Sequence, residues 1–235
     1  MQQILDFPVA EVMTFDNFVT CDGNSAALQF ARRITDDSEA ENLLYLHGPS
    51  GSGKTHLLKA IEQAISPGVS GSYLSCCTLC TADELLEHFN NAPFLLLDDL
   101  HQLPDDRQLR NALWQLFNDF NSAGRPVVMA GLMPPRELKY LDDHLVSRLL
   151  WGLVARVDAS DDQSRRMILK KVADDLQVRV PDEVVSYILA TTSREVGDLI
   201  KAFEMLYKTS LSTKRKITLP LAREAREIHT SGAEA

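Results

Sequence analysis

Residues Gly48–Thr55 read G-P-S-G-S-G-K-T, and the segments on either side restrict what can be built around them. Before the glycines, Leu43-Leu44-Tyr45-Leu46-His47 is a short apolar run of strand type. After them, His56-Leu57-Leu58-Lys59-Ala60-Ile61 has helical spacing. A glycine-rich turn from a buried strand into a helix can point its backbone N–H groups at a phosphate, and the helix N-terminus adds the positive end of its dipole. Pro49, Ser50, Gly51, Ser52, Gly53, Lys54, Thr55 and His56 would line that cradle. Lys54 would reach the outer phosphates and the Thr55 hydroxyl would ligate Mg²⁺. The chain is therefore expected to bind ADP or ATP with Mg²⁺.

Apolar runs continue to alternate with helical patterns. Strands are predicted at Leu43–His47, Ser72–Cys76, Phe94–Asp98, Pro126–Ala130 and Leu153–Val157, and helices near Lys54–Ile65, Ala82–Phe89, Asp106–Ser122 and Asp142–Leu150. Such alternation makes an α/β fold, a parallel sheet covered by helices on both faces. Thr81 with Glu84 forms a capping-box pattern at one helix start. After Asp158 the strand signals stop. A helix from Ser160-Asp161-Asp162, with Met167, Ile168, Val172 and Leu176 as its apolar positions, is followed by others from Pro181, from Arg194 to about Leu211, and after Pro220. The expected organisation is a tail over 1–12, a nucleotide-binding core over 13–158, a small all-helical lid over 159–230 and a tail over 231–235.

Composition narrows the partners. A net charge of −9 over 235 residues lacks the basic footprint of autonomous DNA binding. The Lys214-Arg215-Lys216 cluster suits a turn or a solvated face. No apolar run is long enough to cross a bilayer and the N-terminus lacks a signal-peptide pattern, so a cytoplasmic protein with no membrane association is expected. Of the four cysteines, Cys77-Thr78-Leu79-Cys80 is formally C-x-x-C, but no second ligand pair follows at zinc spacing. Cys76, Cys77 and Cys80 read as small buried hydrophobes at a strand end.

Phe94-Leu95-Leu96-Leu97-Asp98-Asp99 is an apolar strand ending in two carboxylates, the Walker B pattern. Asp98 would hold the Mg²⁺, and Asp99 would orient or deprotonate the attacking water. With these in place the chain resembles the DnaA family of AAA+ ATPases, a P-loop core followed by a helical lid. Thr14-Phe15-Asp16-Asn17-Phe18-Val19 and then Asn24 resemble that family's adenine-side segment, which implies Phe15, Phe18, Val19 and Asn24 at the base. Leu97-Asp98-Asp99-Leu100, Pro134-Pro135-Arg136-Glu137-Leu138 and Ser147-Arg148-Leu149-Leu150-Trp151-Gly152-Leu153 match further family segments in the family's order. The resemblance makes Arg148 the candidate arginine finger, which completes the γ-phosphate site of a neighbouring subunit.

The chain ends where the family's DNA-binding domain would begin, only about a dozen residues precede Thr14, and Ser75 to Phe94 has room for one helix where initiators carry two. That pattern is similar to the shorter Hda branch of the family, whose members associate with the DNA polymerase sliding clamp and stimulate ATP hydrolysis by the DnaA initiator. Gln2-Gln3-Ile4-Leu5-Asp6-Phe7 fits a Q-x-x-L-x-F clamp-binding hexapeptide, with Leu5 and Phe7 filling an apolar groove and Gln2 at its rim. A homodimer is a further expectation, since an arginine finger works between subunits.

Two polar positions depart from the family. Leu132 and Met133 stand where sensor I carries Asp and Arg, and Gly197 stands at the sensor II arginine, with Arg194 three residues earlier as a substitute. Losing both sensors predicts slow intrinsic hydrolysis or a preference for a diphosphate. Other readings stay open at this point, namely a helicase-loader-type AAA+ ATPase or a P-loop kinase of a small substrate.

Overall fold

The computed structural model describes residues 12–36, 41–67, 71–138 and 141–232. The clamp-like hexapeptide with Gln2, Leu5 and Phe7 lies outside them. Five strands form one parallel sheet in the order β2-β3-β4-β1-β5: β1 Leu43–His47, β2 Tyr73–Ser75, β3 Leu95–Asp98, β4 Val127–Gly131 and β5 Leu153–Arg156. Strands β3 and β4 are buried along their whole length, as continuous apolar runs flanked by other strands and covered on both faces should be. Each strand starts or ends within about a residue of its predicted limits.

Helices α1 Ser25–Ile34, α2 Lys54–Ile65, α3 Ala82–Phe89, α4 Arg107–Ser122 and α5 Asp143–Leu149 cover the sheet. One apolar cluster joins Leu95, Leu97, Val127 and Met129 to α3, α4 and α5. The other joins Leu44, Leu46, Leu96 and Val128 to α1 and α2. This division follows from the strand period of two. Helix α3 carries the predicted box: Thr81 accepts from the Glu84 amide, and the Glu84 carboxylate accepts from that of Thr81. Helix α1 was not predicted. Its buried face, Ala27, Ala31 and Ile34, nevertheless follows helical spacing.

Beyond β5 come α6 Asp162–Asp175, α7 Asp182–Thr191, α8 Val196–Thr213 and α9 Leu219–Gly232, with a third apolar cluster that includes Leu169, Val184, Leu199, Phe203 and Leu221. Two expectations need correction. Met167 is exposed, because α6 turns Ser164, Arg165, Leu169 and Ala173 inward. Arg165 there is buried and donates to the Thr192 hydroxyl and the Ser193 carbonyl, so a charged residue holds the place periodicity reserves for an apolar one. The cysteines also divide: Cys76 is buried, but Cys77 and Cys80 are exposed. Among the described residues no cluster of His, Cys, Asp and Glu could hold a metal ion, and no helix is long and apolar enough to cross a membrane.

Candidate functional site

The loop after β1 is shaped by its glycines. Gly51 has φ +70°, and a Cβ there would come within 2.5 Å of the Gly197 amide nitrogen, so the first turn of α8 rests directly on the loop. Gly53 has φ +105°, and a Cβ there would lie 2.9 Å from the Phe18 ring. Both positions require the left-handed region that glycine enters without steric cost. Helix α2 begins at Lys54, directly behind Gly53, so its free N–H groups open onto the loop.

Lys54 is buried, and its ammonium donates to the Gly48 carbonyl at 2.9 Å and the Pro49 carbonyl at 2.7 Å. Burial lowers its pKa, opposed by the charges of Asp98 and Asp99. Thr55 Oγ1 donates to Asp98 Oδ2 at 2.6 Å, although β4 lies between their strands. Asp98 is fully buried and well supplied with donors: Tyr73 OH gives a second bond to Oδ2 at 3.1 Å, and the Asp99 amide reaches Oδ1 at 2.8 Å. Burial, then the Asp98 charge, pushes the Tyr73 phenol up, which keeps it protonated as a donor. Behind it the Lys59 ammonium sits 3.4 Å from the Tyr73 ring centre and pairs with buried Glu62 at 3.0 Å.

Asp99 adopts φ 51°, ψ 41°, and its Oδ2 accepts from Ser75 Oγ at 2.9 Å and from Cys77 Sγ at 3.5 Å. The second carboxylate therefore leans toward the end of β2. Ser75 is Asp98's partner in the parallel register, so the residues around Asp99 are set by strand pairing. Tyr73, Ser75 and Cys77 were missed as site residues. Their alternate spacing at the end of a predicted strand was the available signal, and it acquires meaning only once β2 is known to lie beside β3.

On the other flank, Phe18 is buried and meets the His56 ring edge-on at 5.2 Å, while Phe15 lies against Arg32. His56 Nε2 is 2.9 Å from the Thr14 carbonyl and 3.0 Å from Asn17 Oδ1, tying α2 to the segment before α1. Asn24 is buried and spends its side chain on its own turn, accepting from the Cys21 amide and donating to the Val19 carbonyl. Phe18 thus lies against the loop at Gly53, while Asn24 braces the segment through its own backbone.

Neither position expected to act as a sensor carries a cation, since Leu132, Met133 and Gly197 stand there. Gly131, which ends β4, accepts from the Gly48 amide, so Leu132 and Met133 leave the sheet between the loop and Asp98, and both are exposed. A Cβ at Gly197 would meet nothing within 4 Å. Arg194 is not on the helical face of Gly197, which corrects the expected substitution: α8 starts only at Val196, and Arg194 turns back to Asp162 Oδ1 and the Ser160 carbonyl, each at 3.5 Å.

Arg148 is in the last turn of α5, at the far end of the sheet. Gly152 follows it closely and packs on Leu43, the first residue of β1, whereas the phosphate loop follows the last. Four residue steps of strand, about 13 Å, separate those ends. The Arg148 guanidinium carbon lies 5.2 Å from the Trp114 ring centre and 4.6 Å from that of Trp151.

The residues around the loop suit a nucleoside phosphate with Mg²⁺. The backbone cradle cannot accept a Cβ at Gly51, Ser52 Oγ is buried with no partner among the described residues, and a hydroxyl and a carboxylate, both hard oxygen donors, face one another at Thr55 and Asp98. The family model for the bacterial DnaA ATPase domain matches residues 9–156. The chain belongs to that family. The lid region, residues 162–225, matches the model for the lid domain of Hda. The chromosomal replication initiator protein DnaA of Thermoanaerobacter sp. (strain X514) is 30% identical over 226 residues, 90% of this chain and 51% of that protein. The chain thus spans about half the length of the curated relatives it matches. Domain III of the Thermotoga maritima replication initiation protein DnaA superposes with a TM-score of 0.81 at 25% identity, over 93% of this chain and 97% of that one. AMPPCP-bound DnaA from Aquifex aeolicus, at 23% identity and a TM-score of 0.72, shares the fold over 84% of this chain and 65% of its own.

Proposed function

We propose that this protein is an Hda-type regulator of replication initiation. It would hold ADP or ATP with Mg²⁺, bind the sliding clamp through Gln2, Leu5 and Phe7, and offer Arg148 to ATP bound on DnaA. The observation that carries the reading is the separation of Arg148 from the chain's own phosphate loop by the depth of the sheet. A guanidinium placed there is out of reach of the chain's own phosphates, so any nucleotide it serves is one held by another subunit. The match of the lid region to Hda and the −9 net charge, which suits protein partners better than bare DNA, agree with it.

Within the chain's own site, Lys54 would leave the Gly48 and Pro49 carbonyls for phosphate oxygens. Thr55 and Asp98 would open their mutual hydrogen bond to take the ion, with Tyr73 still fixing Asp98. Mg²⁺ held by Thr55 and Asp98 would supply positive charge that offsets that of the phosphates. With Leu132 and Gly197 at the sensor positions, no lid or β4 cation would stabilise the γ-phosphate end. Asp99 would then orient water poorly, and the nucleotide would act chiefly to set the lid against the core. A second reading, a self-sufficient ATPase, draws support from the complete Lys54–Thr55–Asp98 set.

Hydrolysis of DnaA-bound ATP in the presence of clamp loaded on DNA separates the two. The regulator reading expects strong acceleration by the wild-type chain, little by the Leu5→Ala/Phe7→Ala double variant, and negligible turnover by the chain alone. Vigorous turnover by the chain alone, with no effect on DnaA, would establish the second.

A further inference from the structure

Several arginines pair with a carboxylate, and Arg32 and Arg223 each lie against a single aromatic ring. Arg110 pairs with Asp105, Arg156 with Asp158, Arg194 with Asp162 and Arg215 with Glu224. Arg148 has no carboxylate or hydroxyl partner among the described residues and is the one arginine there flanked by two aromatic rings. Trp114 comes from the middle of α4, half-buried against the apolar core, and Trp151 from the exposed turn before β5. Both ring centres lie within the roughly 6 Å over which a guanidinium is held by an indole face.

We propose that Trp114 and Trp151 are positioning residues for Arg148, forming an aromatic clamp that fixes the guanidinium while leaving its N–H groups free for a phosphate on another subunit. This rests on the reading of Arg148 given above. An acidic partner would hold the side chain equally still, but it would occupy the donors and offset the positive charge that an incoming triphosphate needs to meet. Indole faces restrain the cation through their quadrupole and take up none of its hydrogen-bonding capacity. Trp114 is the anchor because the core fixes its ring. Trp151, 68% exposed, is the wall that a docking subunit would cover. Restricting a long side chain beforehand lowers the entropy lost on docking, the general benefit of preorganisation.

The chain has only two tryptophans, and these are they, so its tryptophan emission reports on this clamp alone. In a Trp151→Phe background, Arg148→Ala should raise the acrylamide quenching constant of Trp114, because the guanidinium no longer covers its face. An unchanged constant would overturn the clamp. In hydrolysis of DnaA-bound ATP with clamp on DNA, Trp114→Leu should lower the rate at saturating chain about three- to tenfold, the size of one aromatic–cation contact, with Trp114→Phe recovering most of it. Nucleotide affinity at the chain's own loop and the thermal midpoint are controls for simple unfolding. A properly folded Trp114→Leu chain with the wild-type rate, beside an inactive Arg148→Ala, would overturn this inference and leave the functional reading standing. Wild-type rates with Arg148→Ala would overturn both.

Discussion

The two ends of one parallel sheet treat their polar groups in opposite ways. At the C-terminal end Lys54, Thr55, Asp98, Tyr73 and Asp99 are bonded to one another or to their own backbone. At the N-terminal end Arg148 has two indole faces and no acceptor among the described residues. The first end is a closed network that a ligand must open, so binding there is coupled to rearrangement within the chain. The second is an open group, and on the proposed reading its ligand lies outside the chain. Buried polar groups must be satisfied locally, whereas a half-exposed guanidinium can be restrained without being consumed.

Within the chain's own nucleotide site, the largest effect should come from Lys54. Lys54→Met is expected to cost about 100-fold in nucleotide affinity, two charge-assisted hydrogen bonds at roughly 1.5 kcal/mol each. The unliganded thermal midpoint should stay level or rise, because an ammonium whose pKa is already lowered by burial is replaced by an apolar chain of similar length. Titration with a fluorescent nucleotide checks the first part, and a loss under tenfold would break the contrast. Next comes Gly197→Arg. The site has room, and returning a cation to the lid should raise the chain's own ATP hydrolysis by about tenfold or more, as expected for one charged contact to a transferring phosphoryl group. Unchanged turnover would mean that the missing sensor does not limit hydrolysis.

Tyr73→Phe removes one donor from Asp98 with little change of shape. The Mg²⁺ concentration for half-maximal nucleotide binding should rise about fivefold, equivalent to roughly 1 kcal/mol. Equal Mg²⁺ dependence would show that Thr55 and the Asp99 amide suffice. The smallest effect is with pH. Burial lowers the His56 pKa, partly offset by the Thr14 carbonyl, and burial and then Arg156 lower that of His47. The unfolded chain therefore takes up these protons first, near pH 6.5. Their contribution to stability is complete above that pH and is lost as pH falls through the folded values. Melting scans from pH 7.5 to 5.5 should show this decline, and His56→Gln should flatten part of it; an identical slope in the variant would assign the decline elsewhere.

Much of the closed end was legible in the sequence because its residues sit at short, fixed offsets. The loop from Gly48 to Thr55, the Asp98 strand end and the Thr81 cap each announce themselves within eight residues. What stayed hidden depends on pairing across the fold. Tyr73 and Ser75 reach the acids only through the β2–β3 register, and Trp114 meets Arg148 only through the packing of α4 beside α5. Arg194 was misplaced because the Ser193 hydroxyl bonds to the Glu195 amide and the Asp198 carboxylate, delaying the start of α8 to Val196. Met167 was misplaced because buried Arg165 breaks the apolar rhythm of α6.

The claim that the open end acts on someone else's nucleotide is most directly tested by single-turnover hydrolysis of ATP on DnaA, with clamp on DNA, comparing wild type and Arg148→Ala at equal occupancy of the chain's own site. The account predicts a rate lower by about a thousandfold or more, the usual contribution of an arginine supplied in trans. Equal rates for the two would contradict it.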